Sequence, residues 1–415
     1  MRVVMVGMGS RGDAQPMAVL GAELVARGHD VTLGLCSDLV WIGRALGVET
    51  VDLKASAKEF LESPQGQKWL AAGDFQSYVR WLLDYKRQYA DQLQSDLIDL
   101  ASNADVLISG TATELEAVVI AEAAGIPYAS IYHAPMRSNS AFPHLLVSTD
   151  IFSPEQNLAT YAKVDGSNWP VFEPFVNKLR TRVGLPSTTE TTGVRLARTG
   201  SLEVQAYSRH VVPELVDWDP RRPLTGFLAP SAQQRKLLDE LHDPELDAWL
   251  DAGDPPVYFG FGSMPVLEPE AALTMIEKVA DMLGVRALVS LKARPTSSSA
   301  VRVVGNLNHD TVLPRCLAAV HHGGAGTSAT SLRAGLPTVV CAVFADQPFW
   351  GAQLQRMGVG STLRFTDLSE PTLFAALEPM LCNGPRQRAA ELAVLLREED
   401  AVAQTADALE QSLSA

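Results

Sequence analysis

Three short stretches of the chain hold residues whose types and spacing could do chemistry. In Gly7-Met8-Gly9-Ser10-Arg11-Gly12-Asp13, three glycines lead up to a carboxylate. In His321-His322-Gly323-Gly324-Ala325-Gly326-Thr327, two imidazoles open a second glycine-rich run, and Phe344-Ala345-Asp346-Gln347-Pro348 follows it. Glycines placed where a strand hands over to a helix let the backbone approach a ligand. The helix N-terminus adds unpaired N–H groups and a partial positive charge. That suits a diphosphate. Asp346 and Gln347 fall at the C-terminal end of the next strand, the usual edge for ligand contacts in an open α/β sheet. Asp13 could take the proton from an attacking hydroxyl, help typically worth ~10²–10⁴-fold in rate. It could equally cap a helix beginning at Ala14, and the local sequence leaves both roles open.

The elements that must position these residues alternate regularly. Residues 2–6 read as a buried strand, 14–27 as an amphipathic helix ended by Gly28, and 30–35 as a second strand. Residues 105–109, 114–124 and 128–132 continue the rhythm, which predicts a parallel sheet with helices on both faces. The rhythm breaks between 51 and 100, a long helical stretch carrying Phe60, Trp69, Phe75, Tyr78, Trp81 and Tyr85. Asp219-Pro220-Arg221-Arg222-Pro223 reads as a linker. Strands and helices then restart at 256–261, 268–283, 287–291 and 302–304, and run on through 316–320, 327–333 and 336–344. The predicted fold class is α/β, with two Rossmann-like parallel-sheet domains facing across a cleft. Their spans are 1–218 and 236–384, joined by a linker at 219–235, with a helical segment at 385–415 packing back towards the first.

At 415 residues the chain is long enough for two domains with full cores. Its net charge of −14 argues against nucleic-acid binding, which needs clustered Lys and Arg. Cys36, Cys316, Cys341 and Cys382 share no metal-like spacing and read as small buried hydrophobes, a usage that fits a reducing cytoplasm. No stretch approaches the ~18 apolar residues of a membrane span, and the apolar start is too short for a signal peptide. A cytoplasmic protein is expected.

Several motifs have a competing reading. Gly7–Gly12 matches the G-x-G-x-x-G of dinucleotide-binding enzymes, but the acidic residue due about 20 positions on is replaced by Leu33-Gly34-Leu35-Cys36, and Asp13 would repel a pyrophosphate. His321 and His322 point in divergent directions with no third ligand at useful spacing, so no metal is expected there. Asp217-Trp218-Asp219 resembles the D-x-D of metal-dependent sugar transferases but stands beside the linker, where a solvated boundary explains it. Gly260-Phe261-Gly262-Ser263 is a second loop of close backbone approach. The aromatics from Phe60 to Tyr85, with Trp169, Phe172 and Phe175, are core residues or part of a ligand wall.

Together these residues resemble the nucleotide-sugar-dependent glycosyltransferases of the GT-B fold, and within them the family of glycopeptide-antibiotic, sterol and plant natural-product enzymes. The likeness covers nearly the whole chain. It is most specific in residues 257–264, in Val304-Gly305-Asn306, in the His321–Thr327 run and in residues 344–351. The resemblance implies that His321, Gly324, Gly326 and Thr327 hold the donor diphosphate with Ser263 nearby. It puts backbone around Leu307 against a pyrimidine base, and Asp346 and Gln347 on sugar hydroxyls, which a carboxylate and an amide bind well. Ser10, Arg11 and Gly12 would approach the phosphates, and Asp13 would be the base, where plant members carry a His. Phe75, His133, Met136 and Phe142 are candidates for the acceptor wall. The implied reaction is a displacement with inversion at the anomeric carbon, without a metal or other cofactor, from a UDP- or dTDP-sugar to a hydroxyl of a small lipophilic natural product. The expected partners are that acceptor and the donor alone, in a monomer or weak homodimer. Two readings compete: another GT-B reaction such as sugar-nucleotide epimerisation, and a silent partner that activates a true transferase.

Overall fold

Runs of consecutive apolar residues, rather than alternating ones, build the strands of this chain, as sheets buried on both faces require. In a computed structural model the chain is described except for residues 216–217, 239–242, 263, 265, 306 and 415 and the side chains of 60–62, 75–76, 78–79, 82, 86 and 414. The first sheet is β1 (Arg2–Gly7), β2 (Asp30–Leu35), β3 (Glu49–Asp52), β4 (Val106–Gly110), β5 (Tyr128–Tyr132) and β6 (Leu202–Gln205). Its strands are parallel, in the order β3-β2-β1-β4-β5-β6. The second sheet is β7 (Val257–Gly260), β8 (Ala287–Ser290), β9 (Val301–Val304), β10 (Ala318–His321), β11 (Thr338–Ala342) and β12 (Gly360–Arg364). It too is parallel, in the order β12-β11-β10-β7-β8-β9. The predicted α/β class, with two parallel Rossmann-like sheets, stands.

Each sheet has a core on both faces. Val3 and Met5 of β1 pack with Leu20, Leu24 and Leu33 on one side, while Val4 and Val6 pack with Leu97, Leu107 and Val176 on the other. Phe259 and Val320 share one core of the second sheet, and Tyr258 and Ala319 share the other. Each strand order reverses once, between β1 and β4 in the first sheet and between β7 and β10 in the second. Open α/β sheets bind ligands in the crevice beyond the strand C-termini at such a switch point. The first glycine-rich loop leaves β1 and the second leaves β10.

The chain divides into two units that do not follow a single cut at 219–235. One unit comprises Met1–Glu59, Leu82–Leu238 and Glu399–Ala415, and the other Phe60–Trp81 and Asp239–Glu398. The stretch read as a linker belongs to the first unit, where Arg221 clasps Asp219 and holds its carboxyl down to about 2. Two helices end the chain. Asn383–Glu398 lies in the second unit, and Ala401–Ser414 in the first, where Ala401, Ala406 and Leu409 enter the core beside Leu20 and Leu24. Arg27 secures that last helix through Asp407 at 2.6 Å and Glu410 at 2.9 Å, and His29 Nε2 meets Glu410 at 2.8 Å. Cys36, Cys316 and Cys341 are buried as expected, but Cys382 is exposed. Among the described residues, no helix is long and apolar enough to cross a membrane.

Candidate active site

At the switch point of the first sheet, the chain leaves β1 through Gly9, whose φ of +136° is costly for any residue with a Cβ. A Cβ there would also stand 2.3 Å from Asp13 Oδ2. Ser10 caps the helix Arg11–Ala26, its Oγ accepting from Gly12 N at 3.1 Å. Asp13 Oδ2 accepts from Ser10 N at 2.8 Å and from Ser10 Oγ at 3.0 Å, closing a capping box. The helix therefore begins at Arg11, not Ala14, and Asp13 lies in its first turn instead of capping it. Because Asp13 is itself the anion folded over this helix end, a pyrophosphate is unwelcome there, and the dinucleotide reading fails on local geometry. Asp13 Oδ1 takes no hydrogen bond among the described residues. Arg11 donates to Gln15 at 2.8 Å and lies 5.5 Å from the centre of the Trp41 ring.

The second glycine-rich loop is built the opposite way. Gly323 has φ +89°, and a Cβ on it would stand 2.4 Å from Val340 Cγ1 of β11. Gly324 caps the helix Ala325–Arg333 without a side-chain acceptor, so the helix end stays open to an anion. His321 is fully buried. Its Nδ1 accepts from Gly323 N at 2.9 Å, its Nε2 has no partner among the described residues, and burial holds the ring well below its ordinary pKa. His322 turns the other way. Its Nε2 lies 2.7 Å from where a Gly324 Cβ would be, and its Cε1 3.2 Å from where a Gly262 Cβ would be. That ring lies between the loop after β7 and the open helix end, with Nδ1 unpartnered among the described residues. The sequence reading chose His321 from this pair; the structure turns His321 inward and sets His322 at the helix end.

The remaining donor-side residues fall as follows. Gly326 and Thr327 lie in the first turn of Ala325–Arg333, Gly326 exposed and Thr327 half-buried. Asp346 follows Ala345, whose φ of +58° marks local strain, and its Oδ2 accepts from Trp350 Nε1 at 2.9 Å. Gln347 is buried and already engaged: its Oε1 accepts from Val343 N at 2.8 Å and Phe344 N at 3.2 Å, and its Nε2 faces Met264 Sδ at 3.4 Å. Leu307 is buried among Tyr258, Leu288 and Val312. Its loop is pinned by Ser290 Oγ donating to Gly305 O at 2.7 Å and by the Tyr258–His309 contact at 2.8 Å. Ser263 lies outside the described residues.

On the first unit, His133 follows β5 directly and is half-buried, as is Met136. Phe142, by contrast, is closed into the core, so it backs the segment instead of lining it. Phe75, which falls in the second unit, starts the helix Phe75–Ala101, and its side chain lies outside the described residues. The segment after β5 is anchored by a buried network that the sequence reading missed. Arg137 Nε meets Glu203 Oε2 at 2.5 Å, and its Nη2 meets Glu114 Oε2 at 2.8 Å and also the Tyr132 hydroxyl. Arg222 neutralises the other Glu203 oxygen at 3.1 Å. The signal was Glu203 between Leu202 and Val204, a carboxylate in an apolar strand that requires a buried cation.

Burial also makes the histidines a source of pH sensitivity. His144, beyond the β5 segment, and His322 are both driven down to about 4 by desolvation, against about 6.5 in an unfolded chain. Between those values the unfolded state binds more protons, so stability is full above about pH 6.5 and falls as pH drops towards 4. Urea denaturation should give a lower midpoint at pH 5 than at pH 7, and the difference should shrink in a His144→Asn variant.

Residues 283–413 match the family model described as Erythromycin biosynthesis protein CIII-like, C-terminal domain. Over its full length the chain is 34% identical to an uncharacterized glycosyltransferase of Mycobacterium leprae, covering 97% of that protein. It is 30% identical over 97% of its length to Sterol 3-beta-glucosyltransferase UGT80A2 of Arabidopsis thaliana, of which it covers 64%. The solved structure of the glycotransferase of kitacinnamycin shares the fold, with a TM-score of 0.72, 20% identity and 99% of both chains covered.

Proposed function

The chain belongs to the glycosyltransferases and has the GT-B fold, and from that premise we propose that it moves a sugar, with inversion, from a UDP- or dTDP-sugar to a hydroxyl of a small lipophilic natural product. The observation that carries this reading is the contrast between the two switch points. One helix end is closed by its own carboxylate, and the other is left open beside an unpartnered imidazole. An anionic donor goes to the open end, where the N–H groups of Ala325–Arg333 and His322 stabilise the charge on the departing diphosphate without a metal ion. Asp346 holds the sugar. The acceptor goes to the first unit, where Asp13 Oδ1 takes its proton. The acceptor oxygen then bonds to the anomeric carbon, and the carbon–oxygen bond to the diphosphate breaks with its electron pair leaving on the nucleotide.

A panel of UDP- and dTDP-sugars against sterol, macrolide and polyketide alcohols, read by mass spectrometry, tests the reaction. Conversion of the donor to a second nucleotide sugar without any acceptor would support epimerisation instead. Absence of every product despite tight donor binding would support a silent partner, a reading that the presence of both Asp13 and an open helix end in one chain argues against. His322→Ala should weaken UDP or dTDP binding by calorimetry by about 10- to 100-fold, the range for one charge-assisted hydrogen bond. His321→Ala should instead lower the melting temperature, since it empties a buried site. Equal nucleotide affinity in wild type and His322→Ala would remove His322 from the diphosphate.

A further inference from the structure

We propose that His133 holds the acceptor hydroxyl from the side opposite Asp13, donating a hydrogen bond to its oxygen while Asp13 takes its proton; this rests on Asp13 being the base. The argument starts from the order of strands in the first sheet. β4 lies between β1 and β5, so the loop carrying Asp13 and the residue after β5 stand two strand spacings apart, roughly 10 Å between backbones. β4 ends at Gly110, and a Cβ on Gly110 would meet nothing within 4 Å. The place between the two loops is therefore open. The residues that follow, Thr111, Ala112 and Thr113, bring no acid or base to it.

The two side chains feel one another without touching. Asp13 is the charged group acting on the His133 ring, opposing the burial that keeps the imidazole neutral, yet no hydrogen bond joins them. A hydroxyl between them satisfies both: its proton points to Asp13 Oδ1, and its oxygen accepts from the N–H of a neutral ring. Both partners are held in place. Asp13 is fixed by Ser10 and by the absence of a Cβ on Gly9. His133 follows Tyr132, whose hydroxyl joins the Arg137–Glu114 pair. Farther along, Asn139 donates to Tyr161 at 2.6 Å and accepts from Phe142 N at 2.8 Å, so the segment is rigid where His133 leaves the sheet. In the reaction His133 changes no proton count. Its part is to orient the oxygen, so its loss falls on the acceptor and not on the donor.

Two measurements test this. In protein labelled with ¹⁵N-histidine, the His133 titration midpoint should fall in Asp13→Asn, because a carboxylate that favours the charged ring is gone. Cys36, Asp38 and Asp52 lie on the Asp13 side and Arg137 on the β5 side, and none of them changes in that variant. An unshifted midpoint would overturn the proposal whether or not an acceptor is in hand. With UDP-glucose as donor and cholesterol or 4-methylumbelliferone as acceptor, His133→Ala should lower kcat/KM for the acceptor by about 10- to 100-fold, with the KM for UDP-glucose unchanged. His133→Gln, which keeps an N–H donor, should recover part of the loss. In an Asp13→Asn background the same His133→Ala change should cost much less, since the base it serves is gone. An acceptor kcat/KM close to wild type in His133→Ala, or an equal loss in donor KM, would overturn the proposal. Turnover that survives Asp13→Asn but not His133→Ala would instead bring down the assignment of Asp13 as base.

Discussion

Replacing Asp13 by Asn should reduce sugar transfer by ~10²–10⁴-fold, the usual contribution of a general base, while leaving nucleotide binding intact. The substitution separates two roles that coincide in one side chain. As the third residue of a capping box, Asp13 contributes on the order of 1 kcal/mol to the helix Arg11–Ala26. A factor of 10²–10⁴ in rate corresponds to roughly 3–5 kcal/mol of barrier. Asparagine keeps a side-chain oxygen that can accept from Ser10 N, so the cap survives and the base does not. Gly9 gives the complementary test. Gly9→Ala forces a Cβ into the Asp13 carboxylate at a φ of +136° and displaces the base without altering its chemistry. Transfer should fall in both variants, and the melting temperature should fall mainly in Gly9→Ala. Near-wild-type turnover in Asp13→Asn, measured from the initial rate of nucleoside diphosphate release with acceptor present, would leave Asp13 only as the capping-box partner of Ser10.

Local signals and long-range ones divide this chain along a physical line. Strand–helix alternation is a local signal, so the two parallel sheets and their loops were legible from residues 2–6 and 256–261 onward. The open helix end after β10 was legible because Gly323, Gly324 and Gly326 leave few alternatives. The choice between His321 and His322 was not. Successive residues of a strand face opposite sides of the sheet, and only the observed register tells which imidazole enters the core. Gln347 is ambiguous for a similar reason: its amide suits a sugar hydroxyl, but a buried amide also closes a backbone turn, and here its Oε1 accepts from Val343 N and Phe344 N. The start of the first helix was misplaced by three residues because Ser10 and Asp13 are both good caps, and the reciprocal bond between them decides. The Arg137–Glu114–Glu203 cluster joins residues far apart in sequence, so Glu203 between Leu202 and Val204 signals a buried cation but not which residue supplies it.

Asp346 carries the other large effect. With the Gln347 Oε1 committed to the backbone, Asp346 is the carboxylate that follows β11, its Oδ2 accepting from Trp350 Nε1, and a carboxylate accepts well from sugar hydroxyls. Asp346→Ala should therefore weaken binding of the intact nucleotide sugar by about 30-fold or more, since a sugar hydroxyl hydrogen-bonded to a carboxylate is worth roughly 2–3 kcal/mol. Binding of the free nucleoside diphosphate, which lacks the sugar, should change little. The substitution has a structural cost as well, because the buried Trp350 indole loses its acceptor, at about 1–3 kcal/mol. Asp346→Asn separates the two effects. It can still accept from Trp350 Nε1, so stability should recover towards wild type while the affinity for the sugar stays below it. Calorimetric titration of each variant with UDP-glucose and with UDP, or with the dTDP pair, reads both quantities. If the two ligands weaken equally in Asp346→Ala, the carboxylate serves only the fold of the loop, and the sugar must be held by other groups.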